Sequence, residues 1–255
     1  MLLLLSPAKK LDLTPLKSPI KASKPQFLYE AQTLVNILAD FAPPKIASLM
    51  RISDELATLN MGRFSNFGTK ANLKNAKPAV FTFAGDVYQG LNVQDFSLDD
   101  CAFMQQHLRI LSGLYGVLRP LDLLQPYRLE MGTKLKNPKG ADLYAFWQDI
   151  ISANLQQTLA ELKTDIVINL ASIEYFKAVN APKLNAKIIN IDFKDYKNGK
   201  YKTIGIFAKR ARGMMARFII KNKITNPSQL AEFGADDYRF CEPDSNANKL
   251  VFLRG

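Results

Sequence analysis

The sequence predicts a mixed α+β or α/β fold, built as a single domain over residues 1–255, and three observations predict it. Short apolar runs bounded by Gly, Pro, Asn or Ser alternate irregularly with longer stretches of helical periodicity. Asn198-Gly199 lies between two strand-like runs and signals an antiparallel hairpin, which argues against a regular doubly wound sheet. The chain has 255 residues, 47% of them hydrophobic, so it carries enough apolar material for a full core.

Taken in order, Leu2–Leu5 reads as a buried strand that runs directly into the turn Ser6-Pro7-Ala8-Lys9. The polar, proline-rich stretch from Lys10 to Pro25 is expected to be loop. Gln26–Asp40 carries Leu28, Ala31, Leu34, Val35 and Leu38 at helical spacing. Pro43-Pro44 restarts the chain into two short helices that meet near Ile52-Ser53, with Ser53 as an N-cap. Val80–Phe83 is expected to be a strand ending at Gly85-Asp86. Leu98–Leu111 and Leu143–Leu162 read as helices, and Ile166–Leu170 as a strand entering Ala171-Ser172. Lys187–Phe193 and Lys200–Ile206 flank the hairpin turn, Phe207–Lys223 is a helix, and Leu250–Leu253 closes the sheet. No internal repeat is present.

Charge is distributed unevenly. Residues 194–223 hold ten lysines and arginines against the single acid Asp195, a local balance of +9 in a chain whose net charge is +11. On a helical projection, Ala211, Met214, Met215, Phe218 and Ile219 share an arc that should face the core. Lys209, Arg210, Arg212, Arg217, Lys221 and Lys223 occupy the other side, with no acid on the helix to pair with them. Gly213 and Ala216 lie among these cations, where a small side chain admits a ligand's backbone. Such a face attracts phosphates and other polyanions, the alternative being a solvated helix surface.

Other polar groups cluster after strands. Ser6 and Lys9 suit a phosphate site or an exposed turn. Asp86 and Tyr88 supply an acid and a hydrogen-bonding group, or a capped turn. Arg119 and Arg128, in a largely apolar glycine-rich stretch, need anionic partners from a ligand or from Asp122 and Glu130. Ser172 sits at a strand-to-helix junction, where capping alone accounts for it.

Absences narrow the chemistry. His107 is the only histidine, which removes His-cluster metal sites and zinc deaminase signatures. Walker, GxGxxG and GxSxG motifs are missing. Cys101 and Cys241 form no CxxC pair, so a reduced, cytoplasmic setting is expected. Met1–Leu5 is too short for a signal peptide or span, and no apolar run approaches about twenty residues. No cofactor, metal or membrane partner is implied.

Leu2 through Lys9, Gly85-Asp86-Val87-Tyr88, Leu111 through Gly132, Asn169-Leu170-Ala171-Ser172 and Ala208 through Gly213 together resemble the YaaA family of bacterial peroxide-stress proteins. The likeness covers essentially the whole chain. It implies a cytoplasmic protein that helps cells survive hydrogen peroxide by limiting unincorporated iron. It also implies an unusual α/β fold with a basic cleft, a helix-hairpin-helix-like element and DNA, double-stranded or structured, as partner. That element falls on Pro44–Phe64, around Lys45, Arg51, Asn60 and Arg63. The usual Gly-x-Gly hairpin is absent there, and Leu59-Asn60-Met61-Gly62 offers one glycine. The expected nucleic-acid contacts are Lys9, Lys45, Arg51, Arg63, Arg119, Arg128, Lys209, Arg210, Arg212, Arg217 and Lys221. The resemblance supplies no catalytic residues. A competing class is an enzyme acting on a nucleotide or damaged nucleic acid, with Lys9, Asp86, Tyr88 and Ser172 as catalytic candidates beside Arg128. Direct iron sequestration is the weakest class, since one histidine and two isolated cysteines make a poor iron site.

Overall fold

In the computed structural model, which describes residues 1–16 and 20–255, the fold is organised around its first strand. That strand, β1 (Leu2–Leu5), is buried on both faces, as a central parallel strand must be. Helices α1 (Leu28–Ala39), α2 (Pro43–Met50) and α3 (Asp54–Ser65) follow, then β2 (Lys77–Pro78). Helices α4 (Ala79–Thr82), α5 (Asp86–Leu91) and α6 (Leu98–His107) precede strands β3 (Leu108–Ser112), β4 (Gly116–Leu118) and β5 (Leu123–Leu124). The chain continues through α7 (Leu143–Glu161), β6 (Ile166–Asn169), α8 (Ile173–Phe176), β7 (Lys187–Lys197) and β8 (Lys200–Lys202). It closes with α9 (Gly205–Lys221), β9 (Arg239–Phe240) and β10 (Lys249–Arg254).

The main sheet has the order β4-β3-β1-β6-β7-β10-β9, with β8 hydrogen-bonded to β7. Strands β3, β1, β6, β7 and β10 are mutually parallel, while β4, β8 and β9 run antiparallel to their neighbours. The sheet is therefore mixed, as the irregular alternation predicts. From β1 the chain proceeds to β3 on one side, and later to β6 on the other. This reversal makes a topological switch point, where carboxyl ends of parallel strands diverge and leave a crevice. β2 and β5 form a separate two-residue ribbon.

Most local expectations hold. Ser53 caps α3, its side chain accepting from the Leu56 amide at 3.4 Å. Asn198 and Gly199 adopt φ of 56° and 78°, the left-handed pair that a tight hairpin between β7 and β8 requires.

Three expectations are corrected. Val80–Phe83 is not a strand; α4 takes its place, and Phe83 makes only an isolated bridge to Leu11. The run is buried, but its amides find other acceptors. Ala79 and Val80 donate to the carbonyls of Asp122 and Pro120, and the Thr82 hydroxyl donates to the carbonyls of Lys77 and Pro78. Leu98–Leu111 is helical only to His107, after which β3 enters the sheet beside β1. Arg109 closes that helix by donating to the carbonyls of Gln105, Gln106 and Leu108. The Lys200–Ile206 strand ends at Lys202, and α9 begins at Gly205 rather than Phe207.

The basic helix is also packed differently from its projection. Its buried residues include Gly213, Ala216 and Ile220 beside Ala211, Met215 and Ile219. Gly213 does not await a ligand, because it lies against α5. A Cβ added there would sit 1.8 Å from the Val87 carbonyl oxygen, and one added to Gly90 2.1 Å from that of Arg210. The two glycines let the helix backbones touch.

Candidate functional site

The crevice at the switch point is assembled from four stretches that the sequence reading singled out. Ser6-Pro7-Ala8-Lys9 leaves β1, Leu170-Ala171-Ser172 leaves β6, Asp86 and Val87 begin α5, and Tyr127–Glu130 follows β5. Lys209 and Arg212 project from α9 onto the same cavity, whose volume is about 630 Å³. Its floor is buried and largely apolar, with Val87, Tyr127, Leu129, Leu170 and Tyr175. Lys9, Lys10 and Lys209 are exposed at its margin.

Hydrogen bonds hold the two strand exits together. The Ser6 hydroxyl accepts from the Ser172 amide at 2.8 Å and donates to the Ser172 hydroxyl at 3.3 Å. Tyr88 is buried outside the cavity lining, and its hydroxyl donates to the Ser6 carbonyl at 3.0 Å. Burial pushes its phenol well above the ordinary range, with Tyr127 and Tyr175 nearby adding to the effect. A phenol held in this way supports the Ser6 turn. Ser172 occupies the N-cap position of α8, yet its side chain makes no capping bond and faces the cavity.

Charge in the cavity is partly answered from within. Glu130 lies between two cations, 2.7 Å from Lys9 Nζ and 3.1 Å from Arg128 Nη2. Glu174 accepts from the Gly132 amide at 2.9 Å. Arg128 keeps a buried Nε without a partner among the described residues. Arg212 is half-buried, and burial pulls its guanidinium below the ordinary arginine range, with Asp192 opposing at a distance.

A second cavity of about 410 Å³ adjoins the first and shares Ile173 and Arg212 with it. Asn169, Asn190, Asp192, Lys177 and Lys249 contribute to its walls. Of these, Lys249, Asn190 and Asp192 escaped sequence reasoning. Their signal lay in strand periodicity, since Asn190 and Asp192 alternate with the buried Ile189, Ile191 and Phe193.

The remaining predicted contacts lie outside the crevice. Arg119 is engaged with the fully buried Asp122 and the Lys24 carbonyl. Arg217 pairs with Asp95 and reaches the Asn92 carbonyl, while Lys221 and Lys223 both bind Asp100. The helix carries no acid of its own, but these partners arrive from the segment 92–100. Hydrogen bonds from Lys223, Lys221 and Ser97 outweigh the burial of Asp100 and hold its carboxyl well below the usual carboxylate range. Arg210 is exposed. In the α2–α3 pair, Lys45 lies over the Phe41 ring and Arg63 reaches Asn60 at 3.5 Å. Gly62 is internal to α3, not in the connection; Arg51, with φ of 53°, makes the left-handed turn instead. Neither helix lines either cavity.

Among the described residues, no group of three or more His, Cys, Asp and Glu side chains is placed to hold a metal ion. No described helix is long and apolar enough to cross a membrane.

A family model described as peroxide stress protein YaaA matches residues 1–244. A protein of Tolumonas auensis (strain DSM 9187 / NBRC 110442 / TA 4) described as a UPF0246 protein is 53% identical over 254 residues. That match takes in 100% of this chain and 98% of the relative.

Proposed function

The chain belongs to the peroxide stress protein YaaA family, and on that premise we propose that it is a cytoplasmic DNA-binding protein of the peroxide response. It grips the phosphate backbone along a basic cleft, with little sequence specificity, and limits iron-driven oxidative damage. The observation that carries this reading is the pair of adjoining cavities, the larger at the carboxyl ends of β1 and β6 and the smaller beside the end of β6 and the first half of β7. Lys9, Lys10, Arg128, Lys177, Lys209, Arg212 and Lys249 all border them. Backbone contacts of this kind position a protein on DNA without reading bases. Arg210 continues the basic line on α9, and the α2–α3 pair with Lys45, Arg51 and Arg63 offers a second contact. Arg119, Arg217 and Lys221 are already engaged by internal carboxylates and contribute less.

Anisotropy titrations of a labelled duplex at several salt concentrations test the reading. Neutralising about five phosphates makes log affinity fall by roughly 4.5 per decade of salt. Replacing Lys209, Arg210 and Arg212 together by alanine should reduce that slope by roughly 2.7, about 0.9 for each lost contact. An unchanged slope and affinity would remove this helix from the interface.

The larger cavity supports a second reading, an enzyme acting on a nucleotide or damaged nucleic acid, because Lys9, Asp86, Arg128 and Ser172 all line it. Lys9, 63% exposed and ion-paired to Glu130, lacks the desolvation that activates a lysine nucleophile. Borohydride trapping with abasic-site DNA decides the point. An adduct that disappears in Lys9→Ala favours the enzyme, and no adduct leaves the binding role.

A further inference from the structure

Arg212 separates itself from the other cations of α9. Arg217 and Lys221 are answered by Asp95 and Asp100, and Lys209 and Arg210 stand in solvent. Arg212 is drawn half out of water, yet among the described residues no hydrogen bond or ion pair reaches its guanidinium; only Asp192 acts on it, from a distance. A half-buried cation without a protein partner, facing a cavity, is placed where a ligand's anion can supply the missing charge. Its position is equally specific, since it borders both cavities.

The two cavities differ in chemistry. The larger presents Tyr127 and Tyr175 on a mostly apolar floor, a surface on which a planar base can stack. The smaller presents the amides of Asn169 and Asn190. These are linked to each other at 2.8 Å, and Asn190 Nδ2 makes only a 3.5 Å contact to the Asn248 carbonyl. Such an amide has capacity left for the polar edge of a base. Both volumes lie in the range of small-molecule sites, about 300–1,000 Å³.

We propose that Arg212 clamps the phosphodiester of a single-stranded dinucleotide step, with one nucleoside in each cavity. The planar guanidinium fork suits a phosphodiester, which offers two terminal oxygens. Separate cavities on either side of the arginine require the two bases to be splayed apart, which a paired and stacked duplex resists. Unpaired DNA is therefore the occupant, and Lys9 and Lys209 on the margin meet the flanking phosphates. The inference rests on the DNA-binding reading and specifies which form of DNA enters the crevice.

Calorimetric titration of the full chain with thymidylyl-thymidine, d(TpT), tests it, alongside the same dinucleotide carrying an uncharged methylphosphonate linkage. The expected result is saturable binding of d(TpT), weakened about tenfold or more by the uncharged linkage and by Arg212→Met. Arg212→Lys, which keeps the charge but loses the fork, should also bind several-fold more weakly. Thermal melting of Arg212→Met should match or exceed the parent, because an unanswered cation has been removed; a structural arginine would lower it. Equal binding of both linkages overturns the proposal without any variant. Duplex binding measured in parallel separates the two readings. If duplex binds and d(TpT) does not, the dinucleotide site fails alone; if neither binds, the DNA-binding reading fails with it.

Discussion

Gly213→Ala should destabilise this protein, although it replaces a poor helix former with the best one in the middle of α9. The added Cβ would lie 1.8 Å from the Val87 carbonyl oxygen and 2.8 Å from the Leu91 amide nitrogen, both backbone atoms of the facing helix. No side chain can rotate to relieve that overlap. To reach ordinary contact, α5 must retreat by roughly 1.5 Å, an overpacking cost of about 3 kcal/mol or more. Helix propensity returns about 1 kcal/mol, leaving a net loss of about 2 kcal/mol and a melting midpoint lower by roughly 4–8 °C. Gly90→Ala meets the Arg210 carbonyl at 2.1 Å and should behave alike. The pair should be less than additive, because one displacement relieves both. Gly62→Ala in α3 is the control, with nothing within 4 Å of its new Cβ. It should stabilise by about 0.5–1 kcal/mol. Urea unfolding and thermal melting of the three variants provide the readout. A Gly213→Ala midpoint at or above the parent's would refute the helix contact on which the position of Asp86 and Val87 depends.

Other consequences follow from single partners. Asp100→Asn removes the carboxylate shared by Lys221 and Lys223, and should cost about 1–2 kcal/mol at pH 7, read by urea unfolding. The folded carboxyl is held below its unfolded value, so its stabilisation is complete above about pH 4 and lost as pH falls from there. The parent's midpoint should thus drop more steeply on acidification than that of Asp100→Asn, and parallel curves would contradict the pairing. Arg109→Ala removes the donor to two carbonyls of the last turn of α6 and to that of Leu108 just beyond it, and should cost about 3 kcal/mol in the same assay. Ser6→Ala leaves the Ser172 amide without its acceptor, at a cost of about 1–2 kcal/mol. It should weaken d(TpT) binding more than duplex binding, because it loosens the cavity's floor and not its cationic margin.

Five strands of the main sheet, β1, β6, β7, β8 and β10, were legible because they announce themselves locally, whereas β3 read as helix and β4 and β9 left no signal. Leu2–Leu5 has no polar face to expose, and Asn198-Gly199 supplies the positive φ values of a tight hairpin. Val80–Phe83 misled because an apolar run of four satisfies a buried strand and a buried helical turn equally well. Only the carbonyls of Pro120 and Asp122, about forty residues away, decide between them. The same limit applied to Leu108–Leu111, whose burial is compatible with either period until β1 is found beside it.

For the crevice, residue types were legible and pairings were not. Ser6, Lys9 and Ser172 could be selected because they follow strands, and Arg128 because an arginine in an apolar stretch needs an anionic partner; Asp86 was selected after a run that is not a strand, and reaches the crevice from the start of α5. The sequence by itself determined strands β1, β6, β7 and β10, the hairpin, the concentration of positive charge and the stretches that build the cavity, since all of these depend on neighbours within a few positions. Tertiary structure alone decided which cations are free. Asp95 and Asp100 approach α9 from more than a hundred residues away and engage Arg217, Lys221 and Lys223. Gly213 turned from an opening for a ligand into a seam between helices for the same reason. Charge and helical phase are properties of the chain, whereas desolvation and pairing belong to the space that distant segments enclose.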